Sequence, residues 1–450
     1  MSKNIGFVST RFAGTDGVSL ESSKWAEVLQ RMGHSCYWFA GELDREIDAS
    51  CLVPEAHFKS QPILRINGQI FGKKGRTAAL TEFIHELRSG LKIEIQTFID
   101  KFGIDLLVVE NAFSIPLHVP LGIALAETIS ETQIPTIAHH HDFYWERTRF
   151  LVNAVGEFID MAFPPNLPNI EHVVINSEAQ KELAHRRGIS STIIPNVLEF
   201  EKAPLVVERR KEQFRKRIGL AAEDIMILQP TRVIRRKGIE LAIELVKALE
   251  DDRCKLVISH ECGDEGFEYA DWLKDNARKN GVDLRVVSSC IASPWTSGNG
   301  HRKKFSLWNV YPHADFITFP SLYEGFGNAF LEAVYFKKPM LINRYSTFVK
   351  DIEPKGFDLI AIDGFLSKES INSVKTVLYS LDRRRQMVNH NYSNATIHYS
   401  YSVLQKRLAF IVENIFGNSS LPLGPDLANR ERIPSPLTEQ VPAQLALCAE

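Results

Sequence analysis

Six cysteines in 450 residues, Cys36, Cys51, Cys254, Cys262, Cys290 and Cys448, are spread without close pairing. That scarcity argues against a disulfide framework and against a CxxC metal knuckle, and it predicts a reducing, cytoplasmic setting. No apolar run approaches the length that spans a bilayer. The N-terminus MSKNIGFVSTRF runs straight into a predicted strand, which leaves no room for a signal peptide. There is no excess of either charge: the formal net charge is −2, without the basic surplus of a nucleic-acid-binding surface. An anionic ligand must therefore be met by local cations.

What is present is a soluble globular composition, 44% hydrophobic and 24% charged, in a chain long enough for two or three domains. Short apolar runs alternate with helical patterns, the signature of βαβ units around parallel sheets. In the first series the predicted strands are Ile5 to Ser9, Ile104 to Val109 (ending at Glu110), Thr136 to His140, His172 to Asn176 and Thr192 to Pro195. Trp25, Val28, Leu29 and Met32 recur at helical spacing before Gly33, a helix stop. The charged stretch Glu208-Arg209-Arg210-Lys211-Glu212 marks a boundary near 200 to 218. The second series has strands at Ile225 to Gln229, Lys255 to Ser259, Leu284 to Ser288, Asp315 to Phe319, Met340 to Asn343 and Leu359 to Ile362. The reading is thus an α/β protein of two doubly wound, Rossmann-like domains, 1–205 and 218–395, then a helical segment 396–416 and a tail 417–450 without sustained period, expected to be mobile.

Ligands of such sheets bind beyond the carboxyl ends of the strands, so strand ends carry the candidates. The sharpest is Pro320-Ser321-Leu322-Tyr323-Glu324-Gly325-Phe326-Gly327-Asn328-Ala329-Phe330-Leu331-Glu332-Ala333. A glycine-flanked turn, Gly325-Phe326-Gly327-Asn328, would present N–H groups to an anion at a helix start. Phe330, Ala333 and Val334 would face inward. Glu332 would stand roughly 9 Å along the axis from Glu324, given about 1.5 Å per helical residue. Carboxylates so spaced suit a sugar at one end and a ribose at the other, with a diphosphate between. The second candidate is Gln229-Pro230-Thr231-Arg232-Val233-Ile234-Arg235-Arg236-Lys237-Gly238, ahead of a helix with Leu241, Ala242, Leu245 and Leu249 on one stripe. Arg232 at the strand end and Lys237 at the helix start would neutralise a leaving diphosphate; Arg235 and Arg236 read as a solvated face. The third, His139-His140-His141-Asp142, invites a zinc reading, but alternation along a strand sends neighbours to opposite faces, so no metal site is predicted. The fourth is the loop Gly14-Thr15-Asp16-Gly17, which lets backbone approach a ligand; it is not a GxGxxG fingerprint, and no acidic residue closes a convincing second strand.

With these residues in view, the chain resembles the family 4 retaining glycosyltransferases, whose two-domain fold with a central cleft is called GT-B. The segment Gln229 to Arg344 matches best. Glu324 and Glu332 match that family's Glu-x7-Glu motif, which implies that Glu324 lies near the donor sugar and Glu332 on the nucleotide ribose. Arg232 and Lys237 match its diphosphate clamp, His141 its first-domain histidine near the donor sugar, and Gly17 a loop bordering phosphate or acceptor. Gly14-Thr15-Asp16-Gly17 lacks the adjacent glycines of many members, and Ser293 to Lys304 is longer and more polar than usual. The resemblance also implies that Tyr401 to Phe416, with Leu404, Leu408, Ile411 and Ile415 at helical spacing, crosses back to the first domain.

These observations predict a hexosyltransferase, retaining and metal-independent, that needs no cofactor. It would move a hexose from a nucleotide sugar, UDP-glucose or GDP-mannose in type, to a hydroxyl of a small soluble acceptor. A sugar-nucleotide epimerase, a phosphorylase and a silent nucleotide-sugar-binding regulator are the alternatives. No nucleic-acid partner is expected, and the oligomeric state is open.

Overall fold

The computed structural model describes residues 2–14, 16–204, 208–260, 267–290, 305 and 307–417. Thr15, the segment Ser293 to Lys304 and the tail beyond Gly417 lie outside them. Two wholly parallel sheets organise the chain. The first has seven strands: β1 Asn4–Val8, β2 Ser35–Ala40, β3 Ser50–Leu52, β4 Leu106–Glu110, β5 Thr136–His140, β6 Ile170–Val174 and β7 Thr192–Ile193, in the order β3-β2-β1-β4-β5-β6-β7. The second has six: β8 Ile225–Gln229, β9 Cys254–Ile258, β10 Leu284–Val286, β11 Phe316–Phe319, β12 Met340–Asn343 and β13 Ile360–Ile362, in the order β10-β9-β8-β11-β12-β13. Both sheets are doubly wound, and the strand order reverses between β1 and β4 in one and between β8 and β11 in the other. Those reversals open the crevices in which ligands of such sheets bind.

The strands are apolar on both faces because helices cover both. Ile5, Phe7 and Val8 of β1 and all of β4 are buried. A strand absent from the predicted series, β2, Ser-Cys-Tyr-Trp-Phe-Ala, pairs with β1 from Asn4↔Ser35 to Val8↔Phe39 and ends at Ala40 without an acidic residue. The helix Gly17–Arg31 buries Trp25, Val28 and Leu29, and the chain leaves it through Gly33 at φ +90°. The long helix Ala78–Phe102 packs Ile84, Leu91, Ile95 and Phe98 under the first sheet. The charged stretch from Glu208 belongs to a helix, Glu208–Arg217, whose Phe214 lies in the core of the second domain, so that domain takes in residues ahead of 218.

The helix Leu381–Tyr399 packs in the second domain through Ala395 and Tyr399, and Tyr401–Phe416 then crosses to the first. There Leu404, Leu408, Ile411 and Val412 share a core with Ile5, Phe7 and Trp25. Ile415 is packed against its edge. Among the described residues no helix is long and apolar enough to cross a membrane.

Because Leu408 is fully buried between the crossing helix and the first sheet, Leu408→Ala should destabilise the protein by about 2–5 kcal/mol. Urea unfolding measures this; a change below about 1 kcal/mol would show that the helix does not depend on this contact.

Candidate functional site

The carboxyl ends of the two sheets face one another across a cleft of about 1000 Å³. Its lining draws on the loops that follow the strands at each reversal: Arg11, Asp16 and Gly17 after β1, Asn111 after β4, His141 and Asp142 after β5, Arg232 and Arg236 after β8, and Glu324 and Gly325 after β11.

On the second-domain side, local sequence dictates how the loops meet. Gly238, at φ +61°, lies so close to Pro320 that an added Cβ would sit 2.4 Å from its carbonyl oxygen. Any other residue would push the two loops apart. Leu322 N donates to Arg236 O at 2.8 Å, which zips the loops together. Glu324 consequently faces two cations: Lys237 Nζ donates to Oε1, and Arg236 Nη1 lies 3.3 Å from Oε2 while donating to Tyr323 O at 2.9 Å. Lys237 and Glu324 are both buried. Burial pushes the Lys237 ammonium below its ordinary range, against the pull of Glu324, and Arg236 and Arg232 push the same way as burial. Arg232 is exposed in the cleft lining, and its guanidinium has no hydrogen-bond or ion-pair partner among the described residues.

The turn after Glu324 divides the work between its residues. Asn176 Nδ2 of the first domain donates to Gly325 O at 2.6 Å, and a Cβ at Gly325 would stand 3.4 Å from His141 O, so the domains meet here. Gly327, at φ +106°, admits no side chain, since a Cβ would lie 2.5 Å from Tyr345 Oη. Phe326 is a core residue: it packs edge-on against Tyr399 and its carbonyl accepts from Tyr345 Oη at 2.7 Å. Its side chain therefore offers nothing to a donor. Asn328 Oδ1 accepts from Asn196 Nδ2 at 2.6 Å across the domain boundary. The helix begins at Asn328, so Glu332 is its fifth residue and Glu324 stands in the turn ahead, fewer helical steps than the estimate of 9 Å assumed. Phe330, Ala333 and Val334 do face the core. Glu332 Oε2 accepts from Tyr311 Oη at 2.5 Å; burial raises its pKa, opposed by Tyr311 and by the charge of Lys24 from the first domain. Glu332, Phe326, Gly327, Asn328 and Gly14 are outside the cleft lining, and Lys237 reaches it through Glu324.

On the first-domain side, β4 and β5 pair Glu110 with His139 in register. Glu110 is wholly buried, and its Oε2 lies 3.0 Å from His139 Nδ1 and 3.1 Å from His141 Nε2. Burial alone would raise the Glu110 pKa, but the two imidazoles outweigh it and hold the carboxyl at about 2. His139 is lowered by burial; for His141 the contacts with Glu110, helped by Glu21 and Asp142, overcome burial and raise it. His140 turns to the other face, where it meets Ser114 Oγ at 2.6 Å and His172 Nδ1 at 3.0 Å. Alternation thus separates His140 from its neighbours, whereas His139 and His141, two apart, converge on Glu110, with donor atoms within 4.8 Å of one another. As a ligand set this triad is incomplete, because a metal-bound imidazole normally has its second nitrogen anchored. His139 Nε2 is buried without a partner, and so is Glu110 Oε1. The arrangement is that of two imidazoles oriented by one carboxylate, with His141 lining the cleft.

Three contributors escaped the sequence reading. Arg236 had been assigned to solvent. Glu110 gave no signal beyond its place at a strand end. Asn111, at φ +58°, accepts from His141 N at 3.0 Å and donates to Asp142 Oδ1 at 3.0 Å, holding the histidine's backbone; an asparagine following a strand end tolerates this conformation better than most residues. In the first loop, Asp16 caps the helix Gly17–Arg31 by accepting from Ser19 N at 3.1 Å, and Gly14 N donates to Asp44 Oδ2 at 2.8 Å.

No family model matches the chain. It is 33% identical over 439 residues to a mannosylglucosylglycerate synthase of Thermotoga maritima, covering 90% of this chain and 98% of that protein. To one of Petrotoga mobilis it is 32% identical over 385 residues, 80% of this chain and 86% of that protein. Among solved structures, a glycosyltransferase from Rickettsia africae aligns with a TM-score of 0.66 at 14% identity, over 93% of this chain and 99% of that one. An Anabaena protein, HepE, crystallised with UDP and glucose, aligns with a TM-score of 0.61 at 12% identity, over 92% and 100%. These likenesses show the fold, which is GT-B.

A carboxylate held at about 2 in the folded protein, against its ordinary 4.5, contributes stability above pH 4.5 that is lost as the pH falls towards 2. Glu110→Gln should therefore be less stable than wild type by about 2–4 kcal/mol at pH 7, with the gap closing below pH 4.5. Urea unfolding from pH 7 to pH 3 checks this; a gap independent of pH would contradict it.

Proposed function

Because the chain belongs to the glycosyltransferase family that contains the mannosylglucosylglycerate synthases, we propose that it transfers a mannosyl group, with retention, from a GDP-mannose-type donor to a hydroxyl of a small glucosylglycerate-like acceptor. A nucleotide-sugar glycosyltransferase of the GT-B fold is the secure part of this reading. The mannosyl group and the glycerate-bearing acceptor are carried over from the names of the Thermotoga and Petrotoga relatives. The retaining course rests on the resemblance of Glu324, Glu332, Arg232 and Lys237 to the motif residues of the family 4 enzymes.

The observation that carries the proposal is the meeting of Arg232, Arg236 and the Lys237–Glu324 pair with His141 across one cleft. Bond cleavage between the sugar and the nucleoside diphosphate concentrates negative charge on the leaving phosphate. Arg232 stands open to receive that charge, and Lys237 is fixed beside it by Glu324. Preorganised cations in a water-poor cleft stabilise developing charge far better than they would in water. The acceptor hydroxyl approaches the face that the phosphate leaves, so the anomeric configuration is kept. A phosphate oxygen takes the hydroxyl proton, and no enzymic base is required. With the cations in place, neither a metal ion nor a cofactor has a step to perform. In this reading Glu324 orients the sugar and Lys237, His141 borders the sugar from the first domain, and the ribose role of Glu332, which bonds to Tyr311 outside the cleft lining, rests on the family resemblance alone.

Lys237→Ala and Glu324→Gln should each lower kcat on the order of 10³-fold with the fold intact. Turnover of GDP-mannose with glucosylglycerate, read by nucleotide release, should be unaffected by EDTA, and NMR of the product should show the donor's anomeric configuration. Near-normal turnover in either variant, or an inverted product, would overturn the assignment.

A further inference from the structure

The first-domain wall of the cleft carries three arginines, Arg11, Arg147 and Arg149. Arg147 turns its fork to Asp142, giving Nε at 3.0 Å and Nη2 as well. Arg11 is held differently. Its Nη2 meets Asp16 at 3.0 Å, and Asp16 is itself fixed as the helix cap, accepting from Ser19 Oγ at 2.7 Å. No other hydrogen bond of Arg11 is present among the described residues, although a guanidinium has five N–H donors. The group lies 5.5 Å from the centre of the Phe58 ring, and both residues line the cleft. The Arg11 side chain is 31% exposed there. Beside it the helix Gly17–Arg31 begins, and Gly17 and Val18 also line the cleft. First-turn N–H groups lack intrahelical acceptors and carry partial positive charge.

This donor-rich corner lies on the β1 side, across the cleft from the cations assigned to the diphosphate. A planar guanidinium steadied by an aromatic ring at one side and a carboxylate at one nitrogen presents its remaining N–H groups in a fixed fork, the geometry that suits a second carboxylate. We propose that Arg11 binds a carboxylate of the acceptor and selects an anionic glycoside over its neutral counterpart. The inference rests on the transfer reading above and adds the residue and the charge that decide acceptor choice.

The test compares kcat/KM for glucosylglycerate and for glucosylglycerol, which carries CH2OH in place of the carboxylate, in wild type and Arg11→Gln. Wild type should favour the anionic acceptor. Arg11→Gln should cut that preference roughly 10- to 100-fold, the range of a lost charge-assisted hydrogen bond. The loss should appear in the KM for glucosylglycerate, with the KM for GDP-mannose unchanged. An equal thermal shift on GDP binding in both proteins confirms that the variant is folded. A preference that survives in Arg11→Gln, or a loss shared by both acceptors with a raised donor KM, would overturn the inference and return Arg11 to structure or to the donor. Transfer to neither acceptor by wild type would instead refute the acceptor reading itself, and the inference with it.

Discussion

Everything at the cleft depends on the buried pairing of Glu324 with Lys237. Taking two charges out of water costs several kcal/mol per ion, and only close, well-partnered geometry offsets it. Here the offset is built from both loops at the β8/β11 reversal. Arg236 supplies a second cation to Glu324, Gly238 lets the loops touch, and Thr347 Oγ1 donates to Glu324 O at 3.2 Å. Replacing a buried pair by apolar groups often stabilises a protein, so its presence at a ligand-facing edge points to work on a ligand. On the proposed transfer, the pair would stand where a leaving phosphate develops its charge.

The two halves of the cleft are joined by polar contacts that involve the loops after the strands. Tyr323 Oη donates to Glu146 across the cleft, Asn176 reaches Gly325 O, and Asn196 reaches Asn328. Ser177 N donates to Asp351 Oδ2 at 2.8 Å nearby. These bonds tie the turn that bears Glu324 to the first domain. The crossing helix adds an apolar tie, its leucines seated in the first domain's core. The placing of Glu324 is therefore coupled to how the two domains meet.

Much of this was legible in the sequence, for reasons that particular residues make plain. The strands β8 and β12 carry uninterrupted apolar runs bounded by turns, so their limits were read to the residue, and the crossing helix followed from Leu404, Leu408 and Ile411 at helical spacing. Strand β2 was missed although Cys36 to Ala40 form an unbroken apolar run, because the run follows the helix stop at Gly33 almost at once, and β3 is three residues of sheet edge. Arg236 looked like a solvated cation because its partner is 88 positions away. Glu110 was invisible as a partner because only the pairing of β4 with β5 brings it to His139 and His141. Phe326, expected to serve through its backbone N–H, turns out to hold the turn in place with a side chain that fills the core.

Calorimetric titration of the intact protein with GDP and with GMP tests the central claim most directly, because the two ligands differ only in the phosphate that the cations would grip. The account predicts that GDP binds at least about tenfold more tightly than GMP, as a charge-assisted contact should, and that Arg232→Ala removes most of the difference. Equal affinities for the two nucleotides in wild type would contradict it.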